Sequence, residues 1–160
     1  MINEEILKKI SNYLLDKKLK IATAESCTGG LLAHSLTNIS GSSNYFDRGI
    51  VSYSNNAKHK ILNVPKKLLE EYGAVSETIS KKMAENIRKL SKVDIGISTT
   101  GIAGPTGGTK EKPIGLVYIA LSTKKDIIVK KFLFRGNRIN NKISTCNAAL
   151  NMLYEYLIAM

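Results

Sequence analysis

Two nucleophilic side chains stand next to each other in the polar segment Glu25–Gly30, which follows a short apolar run and precedes a helical pattern. A turn between a strand and a helix has free backbone N–H groups and lies at the positive end of the helix dipole. Those N–H groups could bind a phosphate or the oxyanion of an acyl-transfer intermediate, with Ser26 as the nucleophile. Cys27 could be the nucleophile instead, since a helix start lowers the pKa of a thiol. The turn alone favours a simpler interpretation, in which Ser26 or Thr28 caps the helix.

A lysine offers a base for this chemistry. Lys58 ends the polar segment Tyr53–Lys58 and would lie in the first turn of a short helix, where a cation is disfavoured. Burial and the helix dipole would both lower its pKa, and a lysine that acts as a base near pH 7 needs a drop of about 3 units, or about 4 kcal/mol. Taken alone, Lys58 is more simply interpreted as one exposed lysine among 20. The only histidines, His34 and His59, stand in no setting that indicates a Ser/His/Asp unit.

A third polar segment, Thr99–Gly108, has four glycines in eight residues, which allow a backbone to approach a ligand closely. It lacks the Gly-Lys-Ser/Thr ending of a nucleotide-binding P-loop and the glycine spacing of a dinucleotide-binding turn. A binding loop and a mobile surface loop explain it equally well.

Hydrophobic spacing predicts the elements that must position these three segments. The predicted helices cover about 4–17, 31–39, 56–62, 65–72, 77–90 (with Ser76 as N-cap) and 139–157, and the predicted strands 21–24, 49–53, 93–98, 114–122 and 127–134. This alternation indicates one three-layer α/β/α domain over residues 1–160, with a mixed, mostly parallel sheet of about five strands. Each polar segment follows a strand, so the three segments can share one crevice at the carboxyl edge of the sheet.

The chain of 160 residues carries 24 basic and 13 acidic side chains, a net charge of +11. Twenty of the basic residues are lysines, mostly in scattered pairs, a pattern that favours a solvated surface over a clustered nucleic-acid face. No apolar stretch reaches the ~18 residues of a membrane span, and Met1–Glu5 does not start a signal peptide. Two cysteines are too few for a disulfide scaffold or a metal cluster, and Cys146 falls on the buried stripe of the last helix. We therefore expect a cytoplasmic protein that binds no metal, membrane or nucleic acid.

Taken together, the motifs resemble those of the CinA C-terminal domain family, whose stand-alone members are nicotinamide-nucleotide amidases. The resemblance covers nearly the whole chain and rests on segments that occur in order: Ala24–Gly30 (AESCTGG), Gly41–Ser43 (GSS), Gly49–Asn55 (GIVSYSN) followed by Ala57 and Lys58, Gly73–Ser76 (GAVS), and Thr100–Gly108 followed by Lys112–Gly115 (KPIG). It implies a serine–lysine hydrolase of a carboxamide C–N bond, which converts nicotinamide mononucleotide (NMN) and water to nicotinate mononucleotide and ammonia in NAD salvage. It also implies a homodimer and no cofactor.

By position, the resemblance implies that Ser26 is the nucleophile, Lys58 its base and Tyr53 a helper in proton transfer. Thr100 and Arg138 look like further site residues, in ligand binding or in support of the catalytic groups. The residues expected to bind substrate are these two together with Cys27, Thr28, Gly29, Gly30, Gly101, Gly104 and Lys142. By the geometry of a strand-to-helix turn, and not by the resemblance, the N–H groups of residues 27–30 would hold the oxyanion.

Two positions depart from the pattern of the family. Where the family reads Gly-Asp-Arg and then a Val-Arg pair, this chain reads Gly136–Arg138 (GNR) and then Asn141 and Lys142. Lys142 keeps the positive charge but not the bidentate fork of an arginine, so we expect weaker substrate binding rather than lost chemistry if it touches a phosphate. The departures leave open a catalytically weak, nucleotide-binding regulatory module. A nucleic-acid binder and a cysteine enzyme are further alternatives.

Overall fold

Five strands form one open sheet in the computed structural model, which describes all 160 residues. The strand order across the sheet is β2-β1-β3-β4-β5. In chain order the elements are α1 (Glu4–Asp16), β1 (Ile21–Glu25), α2 (Leu31–Thr37), a 3₁₀ turn (Ser42–Asn44), β2 (Phe46–Val51), α3 (Asn55–Leu62), α4 (Lys66–Tyr72), α5 (Glu77–Ser91), β3 (Ile95–Gly101), β4 (Leu116–Ser122), β5 (Ile127–Leu133) and α6 (Arg138–Ile158).

Strand direction confirms a mixed, mostly parallel sheet. β1 pairs in parallel with both β2 and β3, whereas β4 is antiparallel to β3 and to β5, so four of the five strands run the same way. Glu25, at the end of β1, is paired with Val51 on one side and with Thr99 on the other. The carboxyl ends of β1, β2 and β3 therefore meet at one edge, as predicted for the three polar segments.

Side chains that alternate along the strands form the two faces of the sheet. Helices cover both faces, which confirms the three layers. In β1, Ile21 joins the core beneath α1, α2 and α6, while Ala22 and Ala24 join the core beneath α3, α4 and α5. Successive side chains of a strand point to opposite faces, so a short buried strand must be apolar on both. The small alanines let the second helical layer lie close to the sheet, on the side where Lys58 enters the site.

Two strand boundaries differ from the predicted ones and change where site residues lie. β3 was expected to end near Ser98, but its antiparallel ladder with β4 continues to the pair Gly101–Val117. Thr100 is therefore a strand residue and not part of a loop. β2 starts earlier than expected, at Phe46, and ends at Val51, so Tyr53 lies beyond the strand. Both shifts come from partner strands, whose register a single segment does not reveal.

The last helix, α6, carries an apolar stripe that packs against the sheet. Asn137 caps it by accepting a hydrogen bond from the N–H of Asn140 (2.9 Å), a role that asparagine fills as well as the aspartate usual in the family. Cys146 lies in this core, and burial raises the pKa of its thiol to about 12. None of the six helices combines the length and the apolar composition needed to cross a bilayer.

Candidate active site

Ser26 and Lys58 come into direct contact although 32 residues separate them in the chain. Ser26 is the first residue after β1, and its N–H donates to the carbonyl of Thr99 (2.9 Å). Lys58 lies in α3, which begins behind the N-cap Ser54, whose hydroxyl accepts from the N–H of Ala57 (3.0 Å). The Lys58 Nζ atom is 2.9 Å from Ser26 Oγ, and the two residues are only 1% and 7% exposed.

The surroundings of the Lys58 amine lower its pKa. Its other two contacts are main-chain carbonyls, those of Ser52 (2.9 Å) and Tyr53 (3.2 Å), and no carboxylate pairs with it. Burial lowers the pKa of Lys58 from 10.5 to about 8. A neutral amine has two N–H donors and one lone pair, and the carbonyls can only accept. The ammonium donates to Ser26 Oγ. In the neutral form the lone pair faces the Ser26 hydroxyl instead, so that form is a base aimed at a nucleophile.

The turn after β1 has two backbone N–H groups free for an oxyanion. The N–H of Gly29 donates to the Ser26 carbonyl (3.1 Å), and that of Gly30 donates to Glu25 Oε2 (3.1 Å). No main-chain carbonyl accepts from the N–H groups of Cys27 and Thr28. The prediction that residues 27–30 all supply oxyanion donors is therefore wrong for the two glycines, and the candidate donors are residues 27 and 28.

The start of α2 is closed by the carboxylate of Glu25. It accepts from the N–H groups of Leu32 (3.0 Å) and Ala33 (2.8 Å), in addition to that of Gly30. The interpretation that Ser26 or Thr28 caps this helix is wrong, because no side chain at the N-cap makes that bond. These N–H groups are also unavailable to a substrate phosphate, since a carboxylate already uses them.

Cys27 is unsuited to nucleophilic chemistry. Its side chain points into the core under α1, α2 and α6, and burial raises the pKa of the thiol to about 12. A thiol with that pKa stays protonated at neutral pH, and the thiolate is the reactive form. The dipole effect expected at a helix start is outweighed by burial, so the cysteine-enzyme interpretation loses its basis.

An arginine links the second and third polar segments. The guanidinium of Arg138, the first residue of α6, donates to the Gly104 carbonyl (2.7 Å) and to the Tyr53 hydroxyl (2.9 Å). The Tyr53 side chain is 59% exposed, and its contact with Lys58 is made by the main-chain carbonyl. Participation of the tyrosine hydroxyl in proton transfer stays a prediction, whereas its contact with Arg138 holds the rim of the site together.

Thr100 and Gly101 support the site without lining its opening. The Thr100 hydroxyl is buried and donates to the Ala74 carbonyl (2.8 Å), which ties β3 to the segment before α5. A Cβ on Gly101 would lie 2.6 Å from Val117 Cγ2, so this glycine permits the close approach of β4. Gly104 has φ +86, where glycine is favoured, and presents its carbonyl to Arg138.

A hollow of about 430 Å³ opens beside the Ser26 turn. Its lining includes three of the predicted turn residues together with Lys142, and in full comprises Thr28, Gly29, Gly30, Leu31, His34, Ile139, Lys142 and Ile143. Lys142 Nζ lies 3.4 Å from the point where a Cβ on Gly29 would be, so the lysine extends over the turn. The size suits a small-molecule ligand. No three His, Cys, Asp or Glu side chains gather into a group that could hold a metal ion.

Two buried polar residues of the site were missed from the sequence. The sequence pattern places Glu25 in the polar turn and identifies Asn141 only as a departure from the family. The Asn141 amide donates to the Ala103 carbonyl (2.9 Å) and accepts from the N–H of Gly136 (2.9 Å), which joins the glycine loop to the start of α6. The available signal for Glu25 was a charged residue directly after the short buried run 21–24.

Comparison with known proteins places the chain in a family. The profile of the CinA C-terminal domain matches residues 3–157. A CinA-like protein of Syntrophus aciditrophicus (strain SB) is 50% identical over 151 residues, which are 94% of this chain and 36% of that protein. The crystal structure of the competence/damage inducible protein CihA from Agrobacterium tumefaciens has a TM-score of 0.94 at 37% identity and covers 98% of both chains.

A second solved structure agrees with the first. The competence damage-inducible protein A (ComA) of Klebsiella pneumoniae subsp. pneumoniae MGH 78578 has a TM-score of 0.95 at 32% identity, over 99% of this chain and 98% of that one. The chain spans less than two-fifths of the length of the Syntrophus relative. The match of the family profile to almost the whole chain, together with these structures, shows that the chain belongs to the CinA C-terminal domain family.

Proposed function

We propose that the protein is an amidohydrolase that cleaves the carboxamide C–N bond of NMN by a serine–lysine mechanism. The observation that carries the proposal is the buried Lys58 amine, 2.9 Å from the Ser26 hydroxyl and without a carboxylate partner. A serine hydroxyl is a weak nucleophile unless a base within hydrogen-bond reach removes its proton. Lys58 meets both requirements for that base, distance and a lowered pKa.

In the first half of the reaction, neutral Lys58 takes the proton of Ser26 as Oγ attacks the carboxamide carbon. The carbonyl oxygen becomes an oxyanion, and the free N–H groups of Cys27 and Thr28 are the donors suited to stabilise it. The Lys58 ammonium then donates a proton to the amide nitrogen. Ammonia leaves, and a nicotinoyl ester remains on Ser26.

In the second half, water replaces ammonia as the partner of Lys58. The neutral lysine removes a proton from water, which attacks the ester carbonyl through a second oxyanion held by the same N–H groups. The proton returns from Lys58 to Ser26 Oγ as the C–O bond breaks. Nicotinate mononucleotide is released, and both residues regain their starting protonation states.

The choice of NMN as substrate rests on the resemblance of the motifs and on the charge at the hollow beside Ser26. Lys142 contributes a cation to its lining, which suits an anionic mononucleotide. The helix N-terminus beside Ser26 is occupied by Glu25, so the phosphate must be bound by side chains and not by that helix. An ammonium can do this as a point charge, with less geometric restraint than an arginine.

The proposal is tested by incubating the purified chain with NMN and measuring ammonia and nicotinate mononucleotide. We expect both products in equal amounts. The product ratio is its own control, because an unrelated hydrolase that removes phosphate or ribose would not yield them one to one. A well-folded protein that releases no ammonia would contradict the proposal. If NMN then raised its melting temperature without turnover, the regulatory-module alternative would replace it.

The pH dependence of activity should report Lys58. We expect kcat/KM for NMN to rise about tenfold per unit below pH 8 and to level off above it, because only the neutral amine is a base and its pKa is about 8. Initial rates in constant-ionic-strength buffers measure this limb. Lys60→Met, which removes an exposed lysine of the same helix, is the matched control and should leave the midpoint unchanged. A flat profile across this range would exclude Lys58 as the base.

A further inference from the structure

The Glu25 carboxylate lies beside the Ser26 turn and plays no part in the steps above. It is 1% exposed, lies directly before the nucleophile and forms no ion pair. An acidic group buried without a cation is costly unless hydrogen bonds replace its hydration. Such a residue therefore needs an explanation in the structure around it.

Five donors converge on the Glu25 carboxylate. Oε2 accepts from the Thr28 hydroxyl (2.5 Å) and from the N–H groups of Gly30 (3.1 Å) and Leu32 (3.0 Å). Oε1 accepts from the N–H of Ala33 (2.8 Å) and, at 3.4 Å, from the Thr23 hydroxyl. Three of these donors are main-chain groups at the start of α2, where the dipole favours an anion. The Glu25 carboxylate therefore connects the end of β1 with the start of α2.

This arrangement decides which N–H groups of the turn stay free. Gly30, the N-cap of α2, has no side chain to close the helix and adopts φ +98. The carboxylate of Glu25, at the end of β1, caps α2 instead. The residues between Glu25 and Gly30 must therefore fold as a tight loop. The loop carries the Ser26 hydroxyl toward Lys58 and leaves the N–H groups of Cys27 and Thr28 without a main-chain acceptor.

The main chain of Glu25 is fixed just as firmly. Its carbonyl accepts from the N–H of Ser52 (2.8 Å), and the carbonyls of Ser52 and Tyr53 are the ones that hold Lys58. One residue therefore connects the nucleophile, the base and the helix start. We infer that Glu25 is a positioning residue, whose carboxylate shapes the turn so that Ser26 faces Lys58 with an oxyanion site beside it. This inference rests on the proposed serine–lysine mechanism but not on the choice of substrate.

A substrate-independent probe tests the inference. A fluorophosphonate ester phosphonylates an activated serine: the Oγ–P bond forms, the P–F bond breaks, fluoride leaves and Lys58 takes the proton. Intact-mass measurement gives the labelling rate of Ser26. We expect Glu25→Gln to label about ten to a hundred times more slowly than wild type, because small displacements of reacting groups have effects of that size. Glu71→Gln, which removes an exposed carboxylate, should label at the wild-type rate.

Two further measurements separate positioning from general loss of structure. Glutamine keeps one acceptor oxygen for the Oε2 donors but turns an amide NH₂ toward Ala33, so amide hydrogen exchange should speed up over residues 30–33 and stay unchanged in α6. The pH midpoint of labelling should also stay at the wild-type value, because burial sets the pKa of Lys58. Loss of the midpoint would make Glu25 a proton-transfer group and overturn the inference.

The outcomes distinguish this inference from the proposed function. Glu25→Gln that labels as fast as Glu71→Gln overturns the role of Glu25, whether or not NMN is hydrolysed. A wild type that labels at Ser26 but leaves NMN intact overturns the substrate and leaves the role of Glu25 standing. A wild type with an unreactive Ser26 overturns both. If Glu25→Gln does not fold, Thr28→Val, which removes one hydroxyl donor, should slow labelling about tenfold.

Discussion

Replacement of Ser26 by alanine is expected to lower kcat for NMN by roughly 10⁴-fold or more, with little change in the melting temperature. The size follows from what a nucleophile and base contribute as one unit in serine hydrolases. The side chain is small and its hydroxyl contacts only Lys58, so its loss leaves the fold intact. Steady-state ammonia release, with differential scanning calorimetry on the same samples, measures both quantities.

Neighbouring variants sharpen this prediction. Cys27→Ala is the matched control, because it changes the adjacent nucleophilic residue and should lower kcat far less than Ser26→Ala. Lys58→Met should lower kcat as strongly as Ser26→Ala. The double variant should have the same kcat as either single variant, since each substitution inactivates the same nucleophile–base pair. Activity that survives in Ser26→Ala but disappears in Cys27→Ala would contradict the assignment and restore a cysteine enzyme.

Lys58 should also make the stability of the protein depend on pH. Folding lowers the pKa of this lysine from 10.5 to about 8, so between these values the unfolded chain binds more protons than the native one. Stability therefore rises with pH over this window, and the cost of burying the charged amine is fully present below pH 8. The difference corresponds to about 3 kcal/mol in the free energy of unfolding.

Comparison with Lys58→Met isolates that contribution. Urea unfolding at about pH 7 and about pH 10.5 should show wild type gaining about 3 kcal/mol relative to the variant, because ionisations elsewhere cancel between the two proteins. Lys60→Met, on the same helix but exposed, should show no such gain against wild type. An unchanged difference between wild type and Lys58→Met at the two pH values would mean that the lysine titrates normally in the native state.

The order of the elements and the contact of the three polar segments were predictable because local patterns determine them. Hydrophobic periodicity located α1, α2, α5 and α6, and a proline and a glycine marked the two ends of α4. The rule that parallel strands share a carboxyl edge placed Ser26 near Lys58. The turn by itself was misread, because a serine before a helix is usually its cap. The cap of α2 is the Glu25 carboxylate, and its contact with the helix depends on the backbone conformation of the whole turn.

Burial of a particular lysine was not predictable from the composition of the chain. The residue type does not distinguish Lys58 from the other 19 lysines. Its amine is surrounded by the carbonyls of Ser52 and Tyr53, which follow β2 and not the strand that carries Ser26. The place of Thr100 in a strand was not predictable for a similar reason, since the ladder with β4 extends β3 past the point where its apolar pattern ends. Long-range register decides such details, and one segment of sequence does not contain it.

The strand order has a consequence for how activity appears as the chain folds. β1 is inserted between β2 and β3, and the N–H of Ser26 is bonded to Thr99, 73 positions further along. Parallel pairings at such separation require long loops to close and form late compared with local helices. The reactive hydroxyl and its base therefore stay apart in any intermediate that has only local structure. Chemical competence arises with the completed topology, so a partly folded chain does not expose a reactive serine.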